Sequence, residues 1–148
     1  MVVDGLLIPD LLLAMIAAGR WPRTADEAAK QNLHSRVPED RNRKLRRIYL
    51  YAPPFHTVGK IVAGSGKDFY ARFGVIHELV PEASVEIGDF GLGSDTPILL
   101  DYRADPAAPR VLHLEWPGGG RPNVAVYSMR SAERAETMST RHAGHVDG

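Results

Sequence analysis

Four short segments in the second half of the chain have the residue pattern of β-strands, and this series constrains the fold more than any other feature. The segments are residues 83–90, 97–103, 110–116 and 123–128. Between them lie Gly-rich or Asp-Pro sequences that are typical of turns. These links are too short for a parallel crossover, which needs about a dozen residues or more. The sequence therefore predicts an antiparallel meander of neighbouring strands.

Apolar and polar residues alternate along the two central segments. One face of residues 97–103 carries Ile98, Leu100 and Tyr102, and the other carries Leu99, Asp101 and Arg103. The next segment alternates in the same way and places Val111, His113 and Glu115 opposite Leu112, Leu114 and Trp116. Side chains on a strand point to the two faces of the sheet in turn. We therefore expect one face to form a core and the other to be at least partly wet.

The apolar run at residues 6–18 predicts a short buried helix rather than a membrane span. Pro9 suits the first helical turn and Gly19 suits the C-terminal cap. A span needs about 20 apolar residues, Asp10 follows Pro9 within this run, and no basic residue precedes it as in a signal peptide. We therefore expect a cytoplasmic protein. The predicted buried face of the helix consists of Leu11, Leu12, Met15 and Ile16.

The rest of the first half mixes helix and strand signals. Thr24 and Glu27 have the spacing of a capping box and predict a second short helix. Residues 48–52 are β-branched and aromatic, and the Pro pair that follows ends the strand they predict. Residues 55–66 contain several Gly and predict a loop or an irregular hairpin.

Helices early in the chain and a meander late indicate an α+β fold. A length of 148 residues is typical of one domain. We expect a single domain over residues 1–148, with a mixed, mainly antiparallel sheet and helices packed on it. Residues 67–73 and 129–138 predict further short helices, and residues 141–148 predict a loose tail.

The net charge of zero hides a segregation of charge along the chain. Residues 20–47 hold nine basic and four acidic side chains, whereas residues 74–105 hold one basic and seven acidic side chains. A polarised surface steers association with charged partners. The basic segment could contact nucleic-acid phosphates, pair with the acidic half, or be solvated; its cluster is Arg36, Arg41, Arg43, Lys44, Arg46 and Arg47. The overall neutrality argues against a dedicated nucleic-acid binder.

Candidate residues for chemistry surround the Gly-rich turn at residues 88–95. This turn leads into a strand rather than a helix, which favours a tight hairpin over a phosphate loop. Asp89, Asp95 and Asp101 could form a site for a hard cation, or could cap turns and pair with Arg103. Asp89, Asp95 and His113 could also serve a small acid–base or metal-assisted enzyme. Without Cys there is no thiolate nucleophile and no Cys-based zinc site, and we expect no metal and no cofactor.

Three strings in the strand-rich half match one family pattern. They are Ile87-Gly-Asp-Phe-Gly-Leu-Gly-Ser-Asp95, Pro97-Ile-Leu-Leu-Asp-Tyr-Arg103 and Pro109-Arg-Val-Leu-His-Leu-Glu-Trp116. The pattern is a Gly-rich turn after a strand, a strand that bears an Asp, and a Pro-Val strand that ends near an aromatic residue. In these features the chain resembles the SUKH superfamily, which includes bacterial toxin-immunity proteins and a fungal cell-wall regulator.

The resemblance implies an α+β fold and protein binding without catalysis, commonly the neutralisation of a toxin domain such as a nuclease. Nucleases present basic clefts to their substrate, so an acidic face would suit one. The resemblance therefore places a partner-binding surface at Asp89, Asp95, Asp101, Glu115 and the exposed part of Tyr102. It implies no catalytic residue, no cofactor, and a protein partner rather than a nucleic acid or a membrane.

Overall fold

A computed structural model describes residues 1–36, 45–65, 79–90, 96–115 and 123–127 of the chain. The strands are β1 (Val2–Val3), β2 (Leu6–Leu7), β3 (Leu33–Arg36), β4 (Leu45–Leu50), β5 (His56–Thr57), β6 (Ser84–Phe90), β7 (Pro97–Asp101), β8 (Arg110–Glu115) and β9 (Asn123–Tyr127). The helices are α1 (Asp10–Ala17), α2 (Ala25–Lys30) and α3 (Val58–Ser65), and a 3₁₀ turn occupies Pro81–Ala83. The predicted helices at 67–73 and 129–138, the tail at 141–148 and the turn at 91–95 lie outside the described residues.

Seven of the described strands form one sheet, in the order β3-β4-β6-β7-β8-β9, with β5 pairing with β6 beside this path. All of their pairings are antiparallel. The predicted meander is confirmed, because the four segments of the second half become β6 to β9. With three helices beside this sheet, the α+β fold class is also confirmed. Strand β3 was not predicted.

The N-terminal apolar run forms a hairpin before it forms a helix. Asp4 and Gly5 have φ values of 48° and 83°, which are the left-handed conformations that a two-residue hairpin turn requires. The helix therefore begins at Asp10. The helix ends at Ala17, and Gly19, with a φ of 72°, terminates it two residues later as the predicted capping glycine. There the amides of Gly19 and Arg20 donate to the carbonyls of Ile16 and Met15 at 3.1 and 2.9 Å.

Helix α2 confirms the predicted capping site at Thr24, whose hydroxyl accepts a hydrogen bond from the amide of Glu27 at 3.2 Å. In a capping box the Glu27 carboxylate would bind the amide of Thr24. Here it accepts from the preceding amide instead, that of Arg23, at 2.8 Å, and it also pairs with the Arg23 guanidinium at 2.9 Å. In the first turn of the helix, the Glu27 amide is thus satisfied by the Thr24 side chain.

Helix α1 packs on one face of the sheet, which we call the α1 face. The buried residues of this core cluster are Val3, Ile8, Leu12, Trp21, Phe55, Val85, Ile87, Ile98, Leu100 and Tyr102. Leu12 is 2% exposed, whereas Leu11, predicted to be buried, is 38% exposed. Leu13 packs against the core in its place, together with Met15 and Ile16, which were predicted to do so.

Helix α3 packs on the opposite face, which we call the α3 face. Its core cluster contains Val58, Leu79, Leu99, Leu112 and Leu114, with Ile61 and Val62 beside them. The predicted loop at 55–66 is therefore wrong: Val58, Ile61 and Val62 have the i, i+3, i+4 spacing of a helix face. Along β7 and the centre of β8 both faces of the sheet are buried, so the predicted wet face is wrong there. At Tyr49, Glu86 and Asp89 the α3 face keeps part of its surface exposed.

The longest described helices, α1 and α3, have eight residues each. In the part of the chain that the structure describes, no helix has the length and apolar character to cross a bilayer.

Candidate functional site

Asp101 occupies the most buried environment among the predicted partner-binding residues. Its side chain is 0% exposed. Its carboxylate accepts hydrogen bonds from Arg103 at 2.9 and 3.0 Å and from Arg110 at 2.8 Å. Burial alone would raise the pKa of Asp101, but the hydrogen bonds from Arg103 and Arg110 outweigh it and hold the pKa below its ordinary value. Asp101 is thus a structural ion pair, and a partner would not reach it.

The other predicted surface residues fall into two groups. Tyr102 is 3% exposed, so the expectation of an exposed part is wrong. Its hydroxyl donates to the carbonyl of Leu7 at 2.8 Å, which ties the N-terminal hairpin to the sheet, and burial raises its pKa to about 12. Asp95 lies outside the described residues, and Glu115 is described only by its backbone in β8.

The two described candidate catalytic residues, Asp89 and His113, do not come together. His113 lies opposite Ile98 in the β7–β8 pairing, which places it on the α1 face, where its ring meets Phe90 edge to face at 5.0 Å. Asp89 lies opposite Pro97, one position along from Ile98 and hence on the other face. His113 is also fully buried. The sheet therefore separates the acid from the base that were expected to act on one substrate.

The predicted cation site also finds no support among the described side chains. No group of three or more His, Asp or Glu in the described part of the chain could hold a metal ion. Asp89 and Asp101 lie at opposite ends of the β6–β7 pair, opposite Pro97 and Ser84. The third carboxylate of the proposed cluster, Asp95, is outside the described residues.

The basic cluster is represented by one described side chain, Arg47. This residue is half-buried, and its guanidinium donates to the backbone carbonyl of Gln31 at 3.2 Å. Arg47 thus ties β4 to the start of β3. The side chains of Arg36, Arg41, Arg43, Lys44 and Arg46 lie outside the description.

Asp89 belongs to a group of two tyrosines and two carboxylates that we call the tyrosine–carboxylate surface; its members are Tyr49, Tyr51, Glu86 and Asp89. Tyr49 lies directly opposite Asp89 in the β4–β6 pairing, and side chains so placed are neighbours on one face. The rings of Tyr49 and Tyr51 meet at 64° with their centroids 5.8 Å apart. All four side chains are half-buried, and each keeps part of its surface exposed.

The two carboxylates are held by hydroxyl groups. Tyr51 shares a hydrogen bond with Glu86. Burial, and then the negative charges of Glu86 and Asp89, raise the pKa of the Tyr51 hydroxyl above its ordinary value, so that the hydroxyl stays protonated and donates. The Thr96 hydroxyl lies 3.3 Å from Asp89 and 2.9 Å from the carbonyl of Phe90. The hydroxyls of Tyr51 and Thr96 thus help to orient the two carboxylates.

An oriented carboxylate beside an aromatic ring can hold a guanidinium or an ammonium group. The ring face attracts a cation, and the carboxylate accepts hydrogen bonds from the same group. Asp89 was predicted from the sequence to bind a partner, whereas Tyr49, Tyr51 and Glu86 were not. The sequence signal that could have pointed to the two tyrosines was the predicted strand at 48–52, which contains both of them. Only the register that sets Tyr49 against Asp89 brings the two segments together.

Comparisons of the chain with protein-family models, with curated proteins and with solved structures found no match. The resemblance to the SUKH superfamily therefore stays a prediction from the residues between Ile87 and Trp116.

Proposed function

We propose that this protein is a non-enzymatic protein-binding module that holds a basic partner on the tyrosine–carboxylate surface. The observation that carries this proposal is the pairing of Tyr49 with Asp89, beside the Tyr51–Glu86 hydrogen bond. It brings two half-buried tyrosines and two half-buried carboxylates together beside the β4–β6 pairing. Tyrosine is enriched among the residues that dominate the affinity of protein interfaces, and charge complementarity speeds encounter and selects the partner.

The SUKH resemblance supports a narrower form of the proposal, in which the partner is a toxin domain and the protein is its immunity factor in the cytoplasm. A nuclease domain suits this surface because its substrate cleft is lined by Arg and Lys. Guanidinium groups of such a cleft would stack on the rings of Tyr49 and Tyr51 and bind the carboxylates of Glu86 and Asp89. Occupying the cleft would block the substrate without any chemical step.

The test is the binding of the purified protein to a basic nuclease toxin domain, taken from a gene beside its own and made inactive by mutation. We expect a specific complex by isothermal titration calorimetry. Asp89→Lys should weaken it by about a hundredfold, because the variant removes one favourable charge contact and adds a repulsive one. Tyr49→Ala should weaken it by about tenfold or more.

The matched control is Asp105→Lys, which makes the same change in net charge at an exposed residue of the β7–β8 connection. Its affinity should stay within about twofold of the wild-type value. Equal losses for Asp89→Lys and Asp105→Lys would show that only the overall charge matters. An unchanged affinity of Asp89→Lys would place the partner elsewhere on the molecule.

A further inference from the structure

Strand β6 carries one residue more than its neighbour β7 can pair. Glu86 lies opposite Leu99 and Gly88 lies opposite Ile98, so that two steps along β6 match one step along β7. Ile87, between them, is the extra residue of a β-bulge. The sequence analysis assigned Gly88 to a turn, and the proposed function gives no role to the bulge.

The bulge puts two consecutive residues of β6 on the α1 face. Ile87 belongs to the core of that face, and Gly88 lies opposite another of its members, Ile98. Alternation then resumes, so Glu86 and Asp89 both fall on the α3 face. In a regular strand, residues three apart point to opposite faces. The bulge therefore places both carboxylates of the tyrosine–carboxylate surface on one side of the sheet.

Gly88 is the residue that lets β4 lie against the bulge. It lies opposite Leu50, and a Cβ atom at this position would be 2.8 Å from the backbone carbonyl oxygen of Tyr49. The same atom would lie 3.5 Å from the Cα atom of Leu50. A backbone oxygen cannot turn away as the end of a flexible side chain can. Any other residue at position 88 therefore has to move one of the two strands.

The same end of β4 is fixed from its other edge. The side-chain amide of Gln31 accepts from the amide of Leu50 at 2.8 Å and donates to its carbonyl at 2.7 Å. The Trp21 indole N–H donates to the carbonyl of Tyr51 at 2.8 Å. Strand β4 cannot withdraw from a larger residue at position 88 without losing these hydrogen bonds. The clash would instead be relieved in β6, at the bulge.

We propose that Gly88 is a positioning residue for partner binding, which acts through the bulge at Ile87 to set Asp89 against Tyr49. Because Gly88 serves the tyrosine–carboxylate surface, this role rests on the proposed function. Gly88 is itself buried, so it acts through Asp89 rather than by contact with the partner. Loss of the bulge in Gly88→Ala would reverse the faces of the residues that follow it. Asp89 would then leave the side of the sheet that carries Tyr49.

The position of Asp89 can be measured without a partner, because the chain contains no Cys. Residues directly opposite each other on antiparallel strands have Cα atoms about 5 Å apart, within the range of a disulfide. We expect the double variant Tyr49→Cys, Asp89→Cys to form a disulfide in a glutathione buffer. Its equilibrium constant should fall about tenfold or more when Gly88→Ala is added. The matched pair Val2→Cys, Leu7→Cys, directly opposite in the β1–β2 hairpin, should change by less than about twofold.

The second measurement is the affinity for the inactive nuclease domain used above. Gly88→Ala should weaken binding about tenfold, because Asp89 no longer meets the cations of the partner. The matched control is Gly64→Ala, the same substitution in α3 at a position where a Cβ atom would have nothing within 4 Å. Its affinity should stay within about twofold of the wild-type value.

Three results would overturn the role of Gly88. An unchanged disulfide at positions 49 and 89 would show that the glycine does not position this pair. Equal losses in both disulfide pairs would show that it supports the whole fold rather than this surface. A lost disulfide with unchanged affinity, where Asp89→Lys does weaken binding, would separate the position of Asp89 from the binding of the partner. Failure of the proposed function is distinct, because Asp89→Lys then leaves the affinity unchanged while the disulfide measurements still report on Gly88.

Discussion

The two ends of the β6–β7 pair place a carboxylate in opposite circumstances. At one end Asp101, opposite Ser84, is fully buried and bound by two guanidinium groups. At the other end Asp89, opposite Pro97, is half-buried beside Tyr49 and the hydroxyl of Thr96. Both residues end or nearly end a strand, and both looked equally suited to bind a partner.

The difference comes from the cations that each position brings within reach. Arg103 follows Asp101 by two residues, and Arg110 is its cross-strand neighbour. Two positive charges neutralise the Asp101 carboxylate and allow it to be buried. Asp89 has an aromatic residue as its cross-strand neighbour. The cross-strand neighbour, which depends on the register, therefore helps to decide whether a strand carboxylate is bound by arginines and fully buried.

The largest expected effect is a difference in stability between variants at the two ends of the β6–β7 pair. Asp101→Asn leaves Arg103 and Arg110 without their counter-charge in a buried site and should lower the free energy of unfolding by about 3 kcal/mol. This figure is at the low end of the range because both guanidiniums reach solvent, with side chains 21% and 41% exposed. Asp89→Asn should cost less than about 1 kcal/mol. Urea unfolding of both variants measures the difference.

Similar losses in Asp101→Asn and Asp89→Asn would contradict the distinction between a fully buried, arginine-bound carboxylate and a half-buried carboxylate beside tyrosine. A large loss in Asp89→Asn alone would reverse it. The comparison is matched, because both changes remove one negative charge from the same pair of strands while keeping the shape of the side chain.

The sequence predicted the meander because its turn signals and its alternation are local properties. It also predicted the helix ends at Thr24 and Gly19, where one residue type meets one backbone requirement. It did not predict α3, since the Gly residues around Ile61 and Val62 obscured the helix. The wet face was wrong along β7 and the centre of β8, because alternation shows that a strand has two faces but not what covers each one.

The candidate site was less predictable than the fold for a related reason. Asp89 was selected by its loop and its charge, but its neighbours Tyr49 and Glu86 depend on which strands pair and in which register. Tyr49 and Asp89 are neighbours only because β6 pairs with β4, and these two strands are far apart in the sequence. Short-range patterns carry no information about that pairing.

A smaller expected effect is the difference in stability between variants of the two arginines that bind Asp101. Arg103 makes two side-chain hydrogen bonds to the carboxylate at 2.9 and 3.0 Å, whereas Arg110 makes one at 2.8 Å and is more exposed. Arg103→Gln should therefore lower the free energy of unfolding by about 1.5 kcal/mol and Arg110→Gln by about half as much. The double variant should lose less than the sum if the two share the carboxylate. If Arg110→Gln lowered the denaturant midpoint more than Arg103→Gln, the cross-strand position of Arg110 would matter more than the larger number of hydrogen bonds that Arg103 makes.

The smallest expected effect is the dependence of the Asp101 contribution on pH. The pKa of Asp101 is lower in the folded protein than its ordinary value of about 3.9, so protons bind the unfolded chain more readily. The stabilisation linked to this shift is fully present above that ordinary value and is lost as the pH falls through the lower pKa of the folded state. Because burial opposes the lowering of the pKa by Arg103 and Arg110, the loss of stability should be modest.

This loss is measured by urea unfolding of the wild type and Asp101→Asn at several pH values from 7 downward, as far as both proteins stay folded. The other carboxylates are the same in the two proteins, so their contributions largely cancel when the two free energies of unfolding are subtracted. That difference should shrink toward low pH; a constant difference would mean that the carboxylate stabilises the fold equally well when protonated, through its shape and hydrogen bonds rather than its charge.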